Sequence, residues 1–243
     1  MGVRTKINLG LVAAFLLGTG MLGSYAWNAI QQNARAELIR EAQMITAQAS
    51  AIRGYTVTEI QPLLAEQSRT RFLPHTIPAF AASATERDFS KGYPGYIYKE
   101  AALNPTNPGH RATPAETAII NDFRKDAALK SIIRTLDTPD GPVISVSRPL
   151  KIGNKACLIC HSTPDVAPAS MVDVYGTENG YGWSVDETVG AQITSVPMRA
   201  AEERARELFI RFMTGAAGIY GVALLLVGII LHFAVGSPPK ATA

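Results

Sequence analysis

Two uncharged apolar runs near the chain ends limit what can form between them. Ile7–Ile30 and Phe212–Val235 each hold 24 residues without a Lys, Arg, Asp or Glu. A helix needs roughly 20 apolar residues to cross a bilayer, so both runs are long enough to span. Tyr25 and Trp27 lie near the far end of the first run, where amphipathic rings favour the membrane interface. A cleaved signal peptide is the rival reading, because Ser24-Tyr25-Ala26 resembles a small-x-Ala processing site. The run is long for a signal peptide, and either reading exports the domain after it.

Charge placement gives the orientation. The chain carries 23 Lys+Arg against 20 Asp+Glu, and 18% of its residues are charged. That is below the quarter usual for soluble domains. Arg4, Lys6 and Lys240 are the basic residues outside Gln31–Arg211, and no acidic residue lies there, so the middle holds 20 of each sign. Basic residues concentrate on the cytoplasmic side of a membrane protein. The expected order is therefore a cytoplasmic N-terminus (1–6), a span (7–30), a periplasmic domain (31–211), a span (212–235) and a cytoplasmic tail (236–243). A formally neutral domain offers no basic face for nucleic acid. With only Cys157 and Cys160, a disulfide scaffold is excluded.

Small residues recur every four positions at Gly10/Ala14/Gly18 and at Ala217/Gly221. Such rows permit close helix approach between spans or between two copies, although Gly and Ala are also common in spans generally. His232, near the cytoplasmic edge of the second run, reads as an interfacial side chain.

From Asn33 to Ile52 there is neither Gly nor Pro, and Leu38, Ala42, Ile45, Ala49 and Ile52 form a heptad-like stripe. The first span is expected to continue outward as a helix, and Ala200–Arg211 to lead into the second. Such helices would transmit shifts across a membrane; the plainer reading packs the stripe on the domain. A Pro-punctuated, aromatic-rich stretch comes next, with Tyr96–Tyr98 as a short strand and Asn104–Pro108 as turns. Thr113-Pro114-Ala115-Glu116 is a capping box and predicts a helix to about Leu136. Pro142–Leu150 alternates as a strand after the turn Thr138–Gly141, and Val189–Val196 is another strand. Together these elements predict an α+β domain.

Cys157-Leu158-Ile159-Cys160-His161 carries the chemistry. A dithiol redox site would need a lowered thiol pKa. A zinc site would need two more ligands, and no other Cys exists. Covalent c-type haem uses both sulfurs as thioethers and the adjacent His as the iron ligand. One helical turn brings both thiols to one porphyrin edge, and an exported domain suits haem c. The expected cofactor is one haem c held by Cys157, Cys160 and His161, with His161 on the metal. The sixth position is undecided among Met44, His75, His110, Met171 and Met198, of which His110 is expected in solvent. A distal Cys is excluded.

Tyr98–Pro108 (YKEAALNPTNP), Ala156–Pro164 (ACLICHSTP), Gly180–Trp183 (GYGW) and Gly190–Met198 occur in that order. The set resembles a bacterial family first defined as a domain of unknown function and typified by a cyanobacterial c-type haem protein with a PAS-like fold. Members often form the extracytoplasmic input domains of kinases and chemoreceptors. The resemblance, over about Ala36–Met198, implies a PAS-like domain with thioethers at Cys157 and Cys160 and iron on His161. Only a few residues come after Val235 here, so a signalling role would need a separate partner. Two functions fit. One is a membrane-anchored periplasmic one-electron carrier with a periplasmic redox partner. The other is a redox or gas sensor acting through its membrane helices on a signalling partner. Catalysis such as peroxidase chemistry is not expected, since no distal acid–base pair can be nominated.

Overall fold

The computed structural model describes residues 3–235. Met1, Gly2, the tail 236–243 with Lys240, and the side chains of Val3, Arg4, Arg69, Ala234 and Val235 lie outside the described residues. Two compact units divide the chain: Glu37–Arg199, and a helical unit drawn from the two ends.

Helix α1 (Val3–Tyr55) runs through the first apolar segment and onward without interruption, as the Gly- and Pro-free sequence after Asn33 predicts. A π-turn (Thr56–Ile60) comes next, then the short helices α2 (Gln61–Leu63) and α3 (Ala65–Thr70), and α4 (Pro78–Gly92). Strand β1 (Ile97–Ala102) precedes α5 (Pro114–Lys125) and the hairpin of β2 (Ile132–Thr138) and β3 (Gly141–Lys151). The short helices α6 (Leu158–His161) and α7 (Ala169–Tyr175) lead to β4 (Thr188–Pro197) and α8 (Arg199–Val235). The strands form one antiparallel sheet in the order β1-β4-β3-β2. The domain is thus a mixture of helices and a small antiparallel sheet.

Strand alternation gives the sheet two different faces. On one, Ala101, Ala191 and Ile193 meet Ile119, Ile120 and Phe123 of α5 in an apolar core. The helix starts where the capping box predicts: Thr113 Oγ1 accepts from the Glu116 N–H, and Glu116 Oε2 accepts from the Thr113 N–H at 2.7 Å. Lys99 Nζ, on the same sheet face, donates to that carboxylate at 2.7 Å.

The opposite face is mixed: Ile144, Val146 and Val196 are fully buried on it, and its β1 side is polar. Tyr98 pairs with Thr194 and Glu100 with Gln192, which puts all four side chains toward the buried stripe of α1 (Leu38, Ala42, Ile45 and Ala49). Thr46 Oγ1 lies 2.7 Å from Thr194 Oγ1, and Arg53 Nη1 donates to Glu100 Oε2 at 2.5 Å. The Tyr98 hydroxyl donates to Glu100 Oε1 and accepts from Gln192 Nε2. Burial first, and the Glu100 carboxylate second, push the Tyr98 phenol well above its ordinary pKa. It stays a neutral donor.

One expected element is corrected. The helix from Thr113 stops at Lys125, not near Leu136. Asp126 is extended, and its carboxylate accepts from the Ala128 N–H at 2.9 Å, an Asx turn that competes with another helical turn. Ile132–Thr138 then alternates in burial and pairs residue for residue with β3. The turn chemistry at Thr138–Gly141 was legible: Gly141 takes φ +113°, where a side chain would strain the backbone.

Helix α4 hides a carboxyl group. Glu86 is 3% exposed, and neither its Oε1 nor the Ser83 Oγ one turn earlier finds a hydrogen-bond partner among the described residues. Burial raises the Glu86 pKa. The folded state then holds this proton more tightly than the unfolded chain, so wild-type stability falls as pH rises from the ordinary carboxyl range through the raised value. Glu86→Gln is therefore expected to gain stability relative to wild type between pH 4 and pH 7. The gain grows by about 1.4 kcal/mol for each pH unit between the ordinary and the raised pKa. Melting curves of both proteins across that range check it; parallel curves would contradict it.

In the unit formed by the chain ends, Phe15 packs on Tyr220 with centroids 5.2 Å apart, and Trp27 meets Phe209 edge-on at 5.1 Å. Two helices are long and apolar enough to cross a membrane. Close approach occurs at Gly23, where a Cβ would lie 3.2 Å from Met213 Cε. A Cβ at Gly10, Gly18 or Gly221 would meet nothing within 4 Å, so those small-residue rows are open. His232 is exposed, with its ring edge-on to Phe233.

Candidate functional site

Strand β3 ends at Lys151, and the chain turns directly into the cysteine motif. Asn154 Oδ1 accepts from the Ala156 N–H at 2.9 Å and holds a 3-10 turn over Lys155–Cys157. Helix α6 continues it for one turn, so Cys157 and Cys160 project from the same short coil. Both thiols are free and half-buried. Ile159 between them is exposed.

His161 is held more firmly than its neighbours. Its Nδ1 lies 2.7 Å from the Gly180 carbonyl oxygen, and its ring stacks on Trp183 with centroids 4.0 Å apart and planes 21° from parallel. Backbone bonds close the clasp: Trp183 N–H donates to the His161 carbonyl, and Gly182 N–H to that of Ser162. A carbonyl only accepts, so Nδ1 must carry the proton. Burial lowers the His161 pKa, with the Gly180 bond opposing it. The imidazole is therefore neutral near pH 7, and its remaining nitrogen, Nε2, presents a lone pair. That is the tautomer a metal-binding His needs.

Beside the motif lies a cleft of about 240 Å³. Gln61, Ser68, Phe72 and Leu73 line one side, and Cys160 and Met171 another. Of the five expected sixth-position candidates, Met171 alone lines this cleft; it is 4% exposed. Met198 sits at the far end of the sheet. Val143 pairs with Pro197 there and Lys151 with Thr188 at the motif end, eight steps or about 26 Å apart at 3.3 Å per residue. Met44 is 64% exposed on α1. His75 is exposed against Phe80, while its neighbours Leu73 and Thr76 line the cleft. His110, expected in solvent, is half-buried instead, with Nδ1 3.0 Å from the Glu100 carbonyl oxygen.

The competing chemistries fare poorly. Burial and the neighbouring Cys157 raise the Cys160 pKa, opposite to what a reactive dithiol needs. Among the described residues, no three His, Cys, Asp or Glu side chains gather to hold a metal ion, as a zinc site would require.

A protein-family model for Tll0287-like proteins matches residues 31–197, a stretch that contains the motif, the clasp and the cleft. The chain belongs to the Tll0287-like family. Among solved structures, the crystal structure of the cyanobacterial haem protein Tll0287 aligns at 18% identity, over 69% of this chain and 94% of that one, with a TM-score of 0.45. A search of curated proteins finds no match. In this Tll0287-like chain, Gly180 and Trp183 were visible in sequence only as part of a shared motif. Their work is done by a backbone carbonyl and a ring face, which residue types do not announce.

The donor set suits a covalently attached haem: two thiols outside any disulfide and one turn apart, an adjacent imidazole with Nε2 free, and a largely apolar cleft at Cys160.

Proposed function

We propose that this chain is a membrane-anchored c-type haem protein of the periplasm that carries single electrons, in a PAS-like domain tethered by α1 and α8. One observation carries the reading. The His161 Nδ1 proton is committed to the Gly180 carbonyl, which leaves Nε2 free on the residue next to two free cysteines in sequence. Bound haem supplies an iron that gains and loses one electron. Cys157 and Cys160 would hold it by thioethers, and His161 Nε2 would bind the iron. The Gly180 carbonyl keeps the proton on Nδ1 and fixes the ring plane with Trp183. Phe72 and Leu73 keep water from the cleft wall.

One further observation favours a second reading, a redox or gas sensor acting on a separate partner. Gln61 of the cleft wall comes directly after the π-turn that ends α1, and π-turns concentrate at functional sites. Absorption spectra of the purified full chain, oxidised, reduced, and reduced under CO, test both. A c-type reduced spectrum, with haem retained through denaturation, is expected. A spectrum unchanged by CO counts against gas sensing and leaves electron carriage and redox sensing standing, and a CO-shifted one supports gas sensing. Absence of any haem absorption would refute both.

A further inference from the structure

The Gly180 carbonyl must itself be aimed, and the structure shows what aims it. Gly180 is buried with φ +86°. A Cβ there would lie 2.8 Å from both Cα and Cβ of Thr106, and nearer still to Thr106 Oγ1. No side chain can occupy this position without displacing the Asn104–Pro108 turns. Thr106 Oγ1 is buried against it, with no hydrogen-bond partner among the described residues. Next to Gly180, Asn179 Oδ1 accepts from Arg111 Nη2 at 2.9 Å, and Arg111 Nη1 donates back to the Leu103 carbonyl. The same loop is tied to β1 by the Ala112 N–H on the Ala102 carbonyl at 3.0 Å. Asn107 Oδ1 braces it internally by accepting from the Gly109 N–H.

We infer that the 103–112 loop is a positioning clamp for His161: Thr106 and Arg111 grip Asn179–Gly180 and so hold the Gly180 carbonyl on Nδ1. The inference rests on the haem reading above and adds residues 50 or more positions upstream of the ligand. A well-placed acceptor on Nδ1–H makes Nε2 more basic, and such outer contacts change metal affinity by roughly 10–100-fold. A more basic imidazole favours ferric over ferrous iron. Loosening the clamp therefore moves the midpoint potential positive. A tenfold loss of ferric preference corresponds to about 59 mV for one electron.

The test uses the full chain with Gly180→Ala and, as a milder and equally uncharged change, Asn179→Ala. Haem stain on a denaturing gel and a redox titration are read together. Both variants are expected to keep covalent haem and to shift positive, by about 59 mV for a tenfold effect, the glycine variant more. If Gly180→Ala does not accumulate, Asn179→Ala carries the test alone. Haem-loaded variants with the wild-type midpoint, or a negative shift, overturn the clamp and leave the haem reading standing. A wild-type chain without covalent haem overturns the haem reading, and the clamp with it.

Discussion

Replacing Arg53 with methionine is expected to cost the Glu37–Arg199 unit about 3–5 kcal/mol, the usual penalty for removing one partner of a buried ion pair. Glu100 is 2% exposed, and its two oxygens are taken by Arg53 and the Tyr98 hydroxyl. Without the guanidinium, a carboxylate remains between helix and sheet with one neutral donor. Folding must then desolvate that charge or protonate it, and either route is unfavourable. Urea denaturation of the wild type and the variant measures the loss. Arg53→Met combined with Glu100→Gln is expected to recover much of it, because the buried charge is gone while the Tyr98 hydroxyl keeps an acceptor. A single variant within about 1 kcal/mol of wild type, the range of an exposed ion pair, would mean that water reaches Glu100 and that this face is not sealed.

This pair also shows what the sequence could and could not disclose. Local rules worked where the deciding interactions were local. The Thr113–Glu116 capping box, the alternation in β3 and the glycine at Gly141 are each settled within a few residues. The same rules failed at Ile132–Thr138. Alanine, leucine and lysine just upstream favour helix, and only pairing with β3 and the Asp126 turn decide for a strand. Nor does anything near Glu100 reveal that its cation lies 47 residues upstream on another element. The site divides in the same way. The cysteine motif was readable because side chains at fixed spacing carry its chemistry. The Gly180 carbonyl, 19 residues from the histidine it orients, is a backbone atom that depends on a loop elsewhere.

The largest expected effect is on haem attachment. Cys157→Ala with Cys160→Ala is expected to abolish covalently bound haem, a complete loss of stain on a denaturing gel. The haem reading assigns both thioethers to these sulfurs, and the chain holds no other cysteine. The single variants separate their roles. Cys160 lines the cleft beside Met171, whereas Cys157 sits at the start of α6 and does not line it. Cys160 would hold the haem from within the cleft lining and Cys157 from outside it. Cys160→Ala is therefore expected to retain less haem than Cys157→Ala when both are normalised to protein. His161→Ala gives a third comparison, since it leaves both sulfurs in place and removes the iron ligand: an altered or five-coordinate spectrum with stain still present is expected. Full staining in the double cysteine variant would show that the motif does not hold the cofactor. Equal retention in the two single variants would show that the cleft at Cys160 is not where the haem edge enters.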